Sequence, residues 1–199
     1  MSLEPGQVAA LTAVVAEGAA ACAAKLAEVT YAPWSVESVV FAEAESGPFA
    51  DMLTAVAADT YGSHLGFPGG SFLLLYSGKS AYLIATAFTR DFQDRVESLP
   101  KREAHALGEV SNILLNPMMG ALAKARGAGL IISAPKTGIA SRRDHLANAV
   151  ARYKAAGAFP AAFVVKLASS QLFSECLLLL FLDPAAAPLF AGGPKTPPK

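Results

Sequence analysis

Hydrophobic and polar residues recur along the chain with two periods, one typical of helices and the other of strands. The apolar and β-branched runs predict, in order, a helix over 7–28, strands over 35–43 and 54–61, a turn over 66–70, a helix over 103–126, a strand over 130–133, a helix over 142–154 and a strand over 162–167. The apolar runs FLLLYS at 72–77 and CLLLLFLD at 176–183 predict two further strands that look like counterparts. The segment SAYLIATAF fits a helix or a strand.

The predicted elements follow nearly the same order in both halves of the chain, a helix and then three strands. This order predicts an α+β fold in which one antiparallel sheet carries packed helices. We expect a single domain over 1–190, built from pseudo-repeats over about 1–95 and 96–190. The last nine residues, AGGPKTPPK, cannot bury anything and predict a flexible tail over 191–199.

Composition narrows the classes of function. The chain is 53% hydrophobic and 16% charged, which is enough apolar material for a core. Sixteen basic and sixteen acidic residues give a net charge of zero, so no nucleic-acid partner is expected. The unbroken apolar runs fall short of the roughly 20 residues that a membrane span needs. The N-terminus MSLEPGQ lacks the features of a secretory signal, so we expect a cytoplasmic protein without a membrane span.

The usual enzyme motifs are missing from the sequence. It contains no glycine-rich phosphate loop, no GxSxG elbow and neither HExxH nor CxxC. The histidines His64, His105 and His145 are far apart in the sequence, so we expect no metal or other cofactor bound by this chain. Cys22 and Cys176 both lie in apolar segments and are expected to be buried thiols.

The helix over 103–126 is the one element that carries candidate chemistry. At about 100° per residue its apolar side is formed by Leu107, Val110, Leu114, Pro117, Met118 and Ala121. The opposite side carries a stripe of His105, Glu109, Asn112 and Asn116. Asparagine is a poor helix-interior residue because its amide competes for backbone hydrogen bonds, so two of them one turn apart need a reason.

Two interpretations of this stripe remain open. It is either the solvent-exposed face of an amphipathic helix or a set of functional side chains that is inserted into the active site of another protein. In the second case the carboxylate pairs with a lysine there, and the amide holds a water molecule in line with a phosphorus atom. Such chemistry depends on orientation rather than on a strong base.

The stretch EVSNILLNPMMGALAKARGAGLIISAP resembles the signature of the CheC/CheX/FliY phosphatases of bacterial chemotaxis, which dephosphorylate the response regulator CheY. That signature has Asp or Ser, three residues, Glu, two residues, Asn, twenty-two residues and then Pro. Glu109, Asn112 and Pro135 match it in register, and the pair Ala121-Leu122 matches a frequent Ala-Leu pair of the family. His105 stands at the position of the Asp or Ser.

Pro117 interrupts the predicted helix within the signature. A proline in a helix interior removes one backbone hydrogen bond, so we expect the helix to kink or restart near Asn116. A local cap at that break is therefore a second interpretation of Asn116.

The resemblance implies a pseudo-two-fold fold and a phosphatase that stimulates hydrolysis of the phosphoaspartate of a CheY-like response regulator. Glu109 and Asn112 would be catalytic, and His105 and Asn116 are predicted to bind the partner. The partner receiver domain would supply Mg²⁺. Another chemotaxis protein or a second copy of the chain is a further candidate partner. The alternative function is a non-catalytic CheC-like adaptor that docks to a receiver domain or a flagellar switch component.

The corresponding helix of the first half, over 7–28, offers Glu17 but no asparagine. The chain is therefore predicted to be a CheC-like duplication with one intact motif. Glu17 is most simply a solvated charge, and the small residues around Gly18 indicate close helix packing.

Overall fold

A computed structural model describes residues 3–43, 59–90, 99–158 and 160–192, with side chains from residue 103 onward in the third range. Its helices are α1 (Pro5–Thr30), α2 (Gly78–Phe88), α3 (Leu99–Arg126), α4 (Arg142–Ala155) and α5 (Ala187–Ala191). Its strands are β1 (Ser35–Glu43), β2 (Asp59–Phe67), β3 (Gly70–Ser77), β4 (Lys136–Ser141), β5 (Ala161–Ser169) and β6 (Ser174–Leu182).

These strands form one antiparallel sheet in the order β1-β5-β6-β3-β2-β4. The order is symmetric about its centre, where the two apolar runs lie side by side and Leu74 pairs with Leu178. An approximate two-fold axis therefore passes between β3 and β6 and relates β1, β5 and β6 to β4, β2 and β3. The predicted fold class, an α+β duplication with one antiparallel sheet and helices packed on it, is confirmed.

The sheet separates two apolar layers. On one face the residues of α1, α2, α3 and α5 pack against Phe72, Leu74 and Tyr76 of β3. On the other face α4 packs against Leu73 and Leu75. Because side chains of a strand alternate between faces, a central strand that is covered on both sides needs apolar residues at every position. This explains why FLLLYS has no alternating pattern.

One predicted strand is wrong, a second is tested only in part, and the segment left open between helix and strand is now assigned. The segment predicted as a strand over 130–133 is not a strand. Leu130 and Ile132 instead pack against the core, and the strand begins later, at Lys136. The second predicted strand, over 54–61, lies partly outside the described residues, and β2 itself continues through the start of the predicted turn to Phe67. SAYLIATAF is helical, and α2 begins after Ser77, whose Oγ accepts a hydrogen bond from the backbone N–H of Ser80.

The remaining predictions of helices and strands agree with the structure to within a few residues. The bounds of β1 are those predicted, and α1, α4, β5 and β6 occupy the expected segments. Cys22 and Cys176 are free thiols in the core, as expected. The tail beyond residue 192 lies outside the described residues.

α1 is a candidate membrane span that the unbroken apolar runs did not reveal. It has 26 residues, and an 18-residue window reaches a mean hydropathy of 1.5, so its length and composition alone would allow it to cross a membrane. In the structure 33% of that window is buried, and one face of the helix packs against α3. A core helix passes the same test of length and composition.

Candidate functional site

The two sides of α3 differ as the helical periodicity predicts. Leu107, Val110, Leu114 and Met118 are at most 1% exposed, whereas His105, Glu109 and Asn116 are exposed and Asn112 is half-buried. Across the described part of the chain, these four polar side chains make no hydrogen bond or ion pair with another residue. We call His105, Glu109, Asn112 and Asn116 the polar stripe. Its side chains are available to a partner.

A buried hydrogen-bond chain holds α3 immediately behind Asn112. The hydroxyl of Ser111 donates to the carbonyl oxygen of Leu107 at 2.6 Å, so its oxygen is left to accept from the hydroxyl of Tyr76 at 3.0 Å. Tyr76 belongs to β3 at the centre of the sheet, and burial raises its pKa well above the usual value. This contact ties the middle of the polar stripe to the most buried part of the fold.

The structure brings the distant proline of the signature beside the stripe. A methyl group at Gly108 would lie 3.6 Å from Cγ of Pro135 and 3.3 Å from Oγ1 of Thr137. Pro135 therefore packs on α3 one residue before Glu109. The chain between the signature's asparagine and its proline thus returns to the same part of α3.

Pro117 does not break α3. The helix is continuous from Leu99 to Arg126, so Asn116 is an interior residue and the predicted restart and cap are wrong. One turn before the proline residue, the thiol of Cys22 donates to the carbonyl oxygen of Leu114 at 3.0 Å. The backbone N–H of Met118 also approaches this sulfur, although burial dominates and raises the pKa of Cys22 to about 12. The thiol of α1 therefore binds backbone groups of α3 on both sides of the proline.

α1 occupies the place in the first half that α3 occupies in the second. Both helices end at a left-handed residue, Tyr31 with φ 54° and Gly127 with φ 71°. When these two are aligned, the stripe positions of α3 correspond in α1 to the exposed residues Ala9, Ala13, Ala16 and Ala20.

Two contacts between the helices support this alignment. Cys22 contacts Leu114, and a methyl group at Gly18 would lie 2.4 Å from Sδ of Met118. In the alignment Gly18 corresponds to Leu114 and Cys22 to Met118, so the two-fold axis exchanges these two contacts. The close packing expected around Gly18 is confirmed.

Glu17 is not an equivalent of Glu109. In the alignment it corresponds to Ile113, and its carboxylate forms an ion pair with Lys124 of α3 at 3.0 Å. Both side chains are more than half exposed. The interpretation of Glu17 as a simple solvated charge therefore has to include this surface contact.

Two supporting residues were missed in the sequence, Ser111 and Tyr76. Ser111 lies between Leu107 and Leu114 on the apolar side of α3, and a hydroxyl on that side needs a buried partner. That spacing was the available signal. Tyr76 ends the apolar run FLLLYS, and nothing local in the sequence shows that it faces Ser111 across 35 residues of chain.

The structure, with its six-stranded symmetric sheet and the paired helices α1 and α3 on one face, matches the fold of FliY, CheX and CheC-like proteins and of the FliM middle domain. FliY from Thermotoga maritima is similar with a TM-score of 0.65 and 14% identity, covering 96% of each chain. FliM from H. pylori, solved in complex with SpeE, is similar with a TM-score of 0.67 and 11% identity, again over 96% of each chain.

CheX of Borrelia burgdorferi, solved as a complex with CheY, BeF₃ and Mg²⁺, has a TM-score of 0.52 and 13% identity, over 84% of this chain and 96% of that one. No protein-family model matches the sequence, and no curated protein matches it. The resemblance seen in the signature is therefore confirmed at the level of the fold.

Proposed function

We propose that this chain is a phosphatase that stimulates hydrolysis of the phosphoaspartate of a CheY-like response regulator. The observation that carries the proposal is the polar stripe, in which Glu109 and Asn112 lie one turn apart without internal partners. Further support comes from the signature match at Pro135 and from the fold, which is shared with a CheX that was solved together with CheY.

In the proposed reaction α3 enters the active site of the regulator. The carboxylate of Glu109 pairs with a lysine there and fixes the position of the helix. The side-chain amide of Asn112 binds a water molecule and directs it at the phosphorus atom, in line with the bond to the aspartate oxygen. Water adds to phosphorus, that bond breaks, and the products are the aspartate carboxylate and inorganic phosphate.

This role requires orientation, and two contacts of α3 support it. The contact between Ser111 and Tyr76 anchors the turn of α3 that carries Asn112, and Pro135 packs at Gly108, next to Glu109. Mg²⁺ in the partner would neutralise the phosphoryl oxygens, so this chain needs no metal ligands for the reaction. Among the residues that the structure describes, no group of three metal-ligating side chains occurs.

The test is phosphate release from a phosphorylated receiver domain, measured with and without the protein. The wild-type chain should accelerate release, and Asn112→Ala should not. The matched control is Gln171→Ala, which removes an exposed amide in the β5–β6 turn and should leave the acceleration unchanged. No acceleration by the wild type with any phosphorylated receiver that binds it would refute catalysis.

The second candidate function is that of a non-catalytic adaptor. His105 in place of the signature's Asp or Ser favours it, and so does the similarity to a FliM that was solved in complex with SpeE. An adaptor would bind the receiver domain through the polar stripe without changing its rate of dephosphorylation. The same assay, combined with a binding measurement, separates the two functions.

A further inference from the structure

A cavity of about 340 Å³ opens between α4 and the sheet, on the face away from α1 and α3. Its polar lining comes from four separate parts of the chain and comprises His64, Ser71, Ser133, Lys136, Asn148 and Arg152. The volume lies within the range of small-molecule sites in proteins. This cavity has no part in the proposed phosphatase reaction.

The charged side chains that line the cavity are both basic. Lys136 and Arg152 line it, and no carboxylate does. Arg152 is held by an ion pair with Asp183 at 3.2 Å, whereas Lys136 forms no ion pair with any described residue. In a chain of zero net charge, residues 133–158 contain five basic residues and a single acidic one, Asp144. The cavity therefore favours an anion.

A chain of hydrogen bonds fixes the protonation pattern of the two histidines beside the cavity. Nε2 of His145 lies 2.9 Å from the carbonyl oxygen of Thr60, which can only accept, so this nitrogen carries the proton. Nδ1 of neutral His145 must then accept, and it lies 3.3 Å from Nε2 of His64. In the neutral pair the remaining ring nitrogen, Nδ1 of His64, is therefore the site at which a proton can be added.

The position of the buried ring depends on a glycine. A methyl group at Gly62 would lie 2.4 Å from the ring of His145, so the imidazole packs directly on the backbone of β2. His145 is only 4% exposed and cannot swing away. On the neighbouring strand Lys136 pairs with His64, and directly paired residues of antiparallel strands project on the same face.

We propose that this cavity binds the phosphate group of a small molecule, held by Lys136, Arg152 and the imidazole of His64 and hydrogen-bonded by the serine hydroxyls and the amide that line it. The proposal stands independently of the phosphatase proposal. Free phosphate and a phosphorylated metabolite share this chemistry, and the size of the cavity leaves room for a small organic group on the phosphate.

The histidine pair makes binding measurable through a proton. Burial and the neighbouring His145 lower the pKa of His64 to about 4, and the charged groups that line the cavity with it, Lys136 from β4 and Arg152 from α4, are both cationic. A bound phosphate favours the charged imidazolium, so the pKa of His64 must rise when the cavity is filled. The direction of this shift follows from the sign of the ligand.

The experiment follows the ring signals of the three histidines by NMR while the wild-type protein is titrated with inorganic phosphate, with glycerol 3-phosphate or with glycerol. Saturable shifts of His64 and His145 are expected with one or both phosphates and not with glycerol, together with a raised pKa of His64. His105, exposed on α3, is the internal reference and should not shift. Tighter binding of glycerol 3-phosphate would identify a phosphorylated metabolite, and tighter binding of phosphate the free ion.

A matched pair of variants separates a site from general attraction. Lys136→Gln should weaken binding roughly tenfold because a charged contact is lost, whereas Lys154→Gln removes the same charge from an exposed position of α4 outside the cavity and should leave binding unchanged. Equal weakening by both variants would overturn the proposal. So would shifts of all three histidines together, or no saturable shift of His64 at millimolar phosphate.

Discussion

α1 and α3 are equivalent helices in the two halves of the molecule, and they differ most where they face solvent. Seven of the eight buried positions of α1 correspond to buried positions of α3. Each helix ends at a left-handed residue, and the two contacts between Cys22, Gly18, Leu114 and Met118 are exchanged by the two-fold axis. On the outer face α1 has four alanines where α3 has histidine, glutamate and two asparagines. Packing therefore constrains one face of each helix and leaves the other free to diverge.

The difference between the two outer faces also affects helix stability. In a helix interior asparagine is less favourable than alanine by roughly 0.5 kcal/mol, so Asn112 and Asn116 together cost about 1 kcal/mol relative to their equivalents in α1. Neither amide recovers this by a hydrogen bond within the described ranges. The alanines of α1 are what helix stability alone prefers, and the stripe of α3 is what a partner would require.

The largest expected effect comes from making α3 resemble α1 at one position. Asn112→Ala should reduce stimulated dephosphorylation by about 100-fold, because one group that orients the water is lost. The fold should be unchanged or slightly more stable, since alanine is the better helix former and the Asn112 amide makes no hydrogen bond to another described residue. Phosphate release and thermal unfolding, measured on the same sample, check both parts. Equal activity of variant and wild type would show that the stripe is only a solvated face.

The packing that makes the helices equivalent can be broken at Gly18. In Gly18→Ala the new methyl group would meet Met118, 2.4 Å from Sδ and 3.2 Å from Cα, and overpacking of this kind costs about 1–3 kcal/mol. Gly120→Ala on α3 is the control, because a methyl group there meets nothing within 4 Å and should stabilise by roughly 0.5–1 kcal/mol. Denaturant unfolding measures both values. If both variants were stabilised, the close approach of α1 and α3 would be wrong.

Glu109→Gln tests the carboxylate of the polar stripe separately from the side-chain amide of Asn112. If Glu109 pairs with a lysine of the regulator, the variant should bind about tenfold more weakly, and its affinity should depend less on salt. Titration of the receiver domain at low and high ionic strength measures both. An unchanged affinity and an unchanged salt dependence would mean that Glu109 stays in water in the complex.

The smallest effect is expected for Glu17, the acidic residue of α1 that contacts α3. Glu17→Gln removes an exposed ion pair with Lys124 and should change the free energy of unfolding by less than about 0.5 kcal/mol. Phosphatase activity should not change, because Glu17 is aligned with Ile113 and not with Glu109. A loss of activity with the fold intact would reveal a second site in the first half.

The sequence alone predicts those helices and strands whose burial produces a local pattern of apolar and polar residues. The buried and exposed sides of α3 and the bounds of β1 follow from periodicity. β4 could not be found in this way, because KTGIAS is a short edge strand that is largely exposed and therefore needs no apolar pattern. The apolar residues just before it, Leu130 and Ile132, belong to packing against the core rather than to strand pairing.

Contacts between residues that are distant in the sequence could not be predicted from a local pattern. Tyr76 and Ser111 are 35 residues apart and His64 and His145 are 81 apart, so only the topology of the sheet brings them together. The equivalence of α1 and α3 was visible as a repeat. Its register, and with it the correspondence of four alanines to the polar stripe, depended on where each helix ends.

The order of strands also has a consequence for how the chain can be made and divided. Each half gives its first strand to the other half, because β1 pairs with β5 and β4 pairs with β2. A fragment that ends at residue 90 would leave β1 without the neighbour it has in the sheet, and it would expose the apolar edge of β3 until residues 174–182 arrive. During synthesis this edge of β3 therefore stays unpaired until β6 has been made. In that interval the uncharged apolar run of β3 is exposed and can pair with another chain. Each half of the sheet is therefore completed by a strand of the other half.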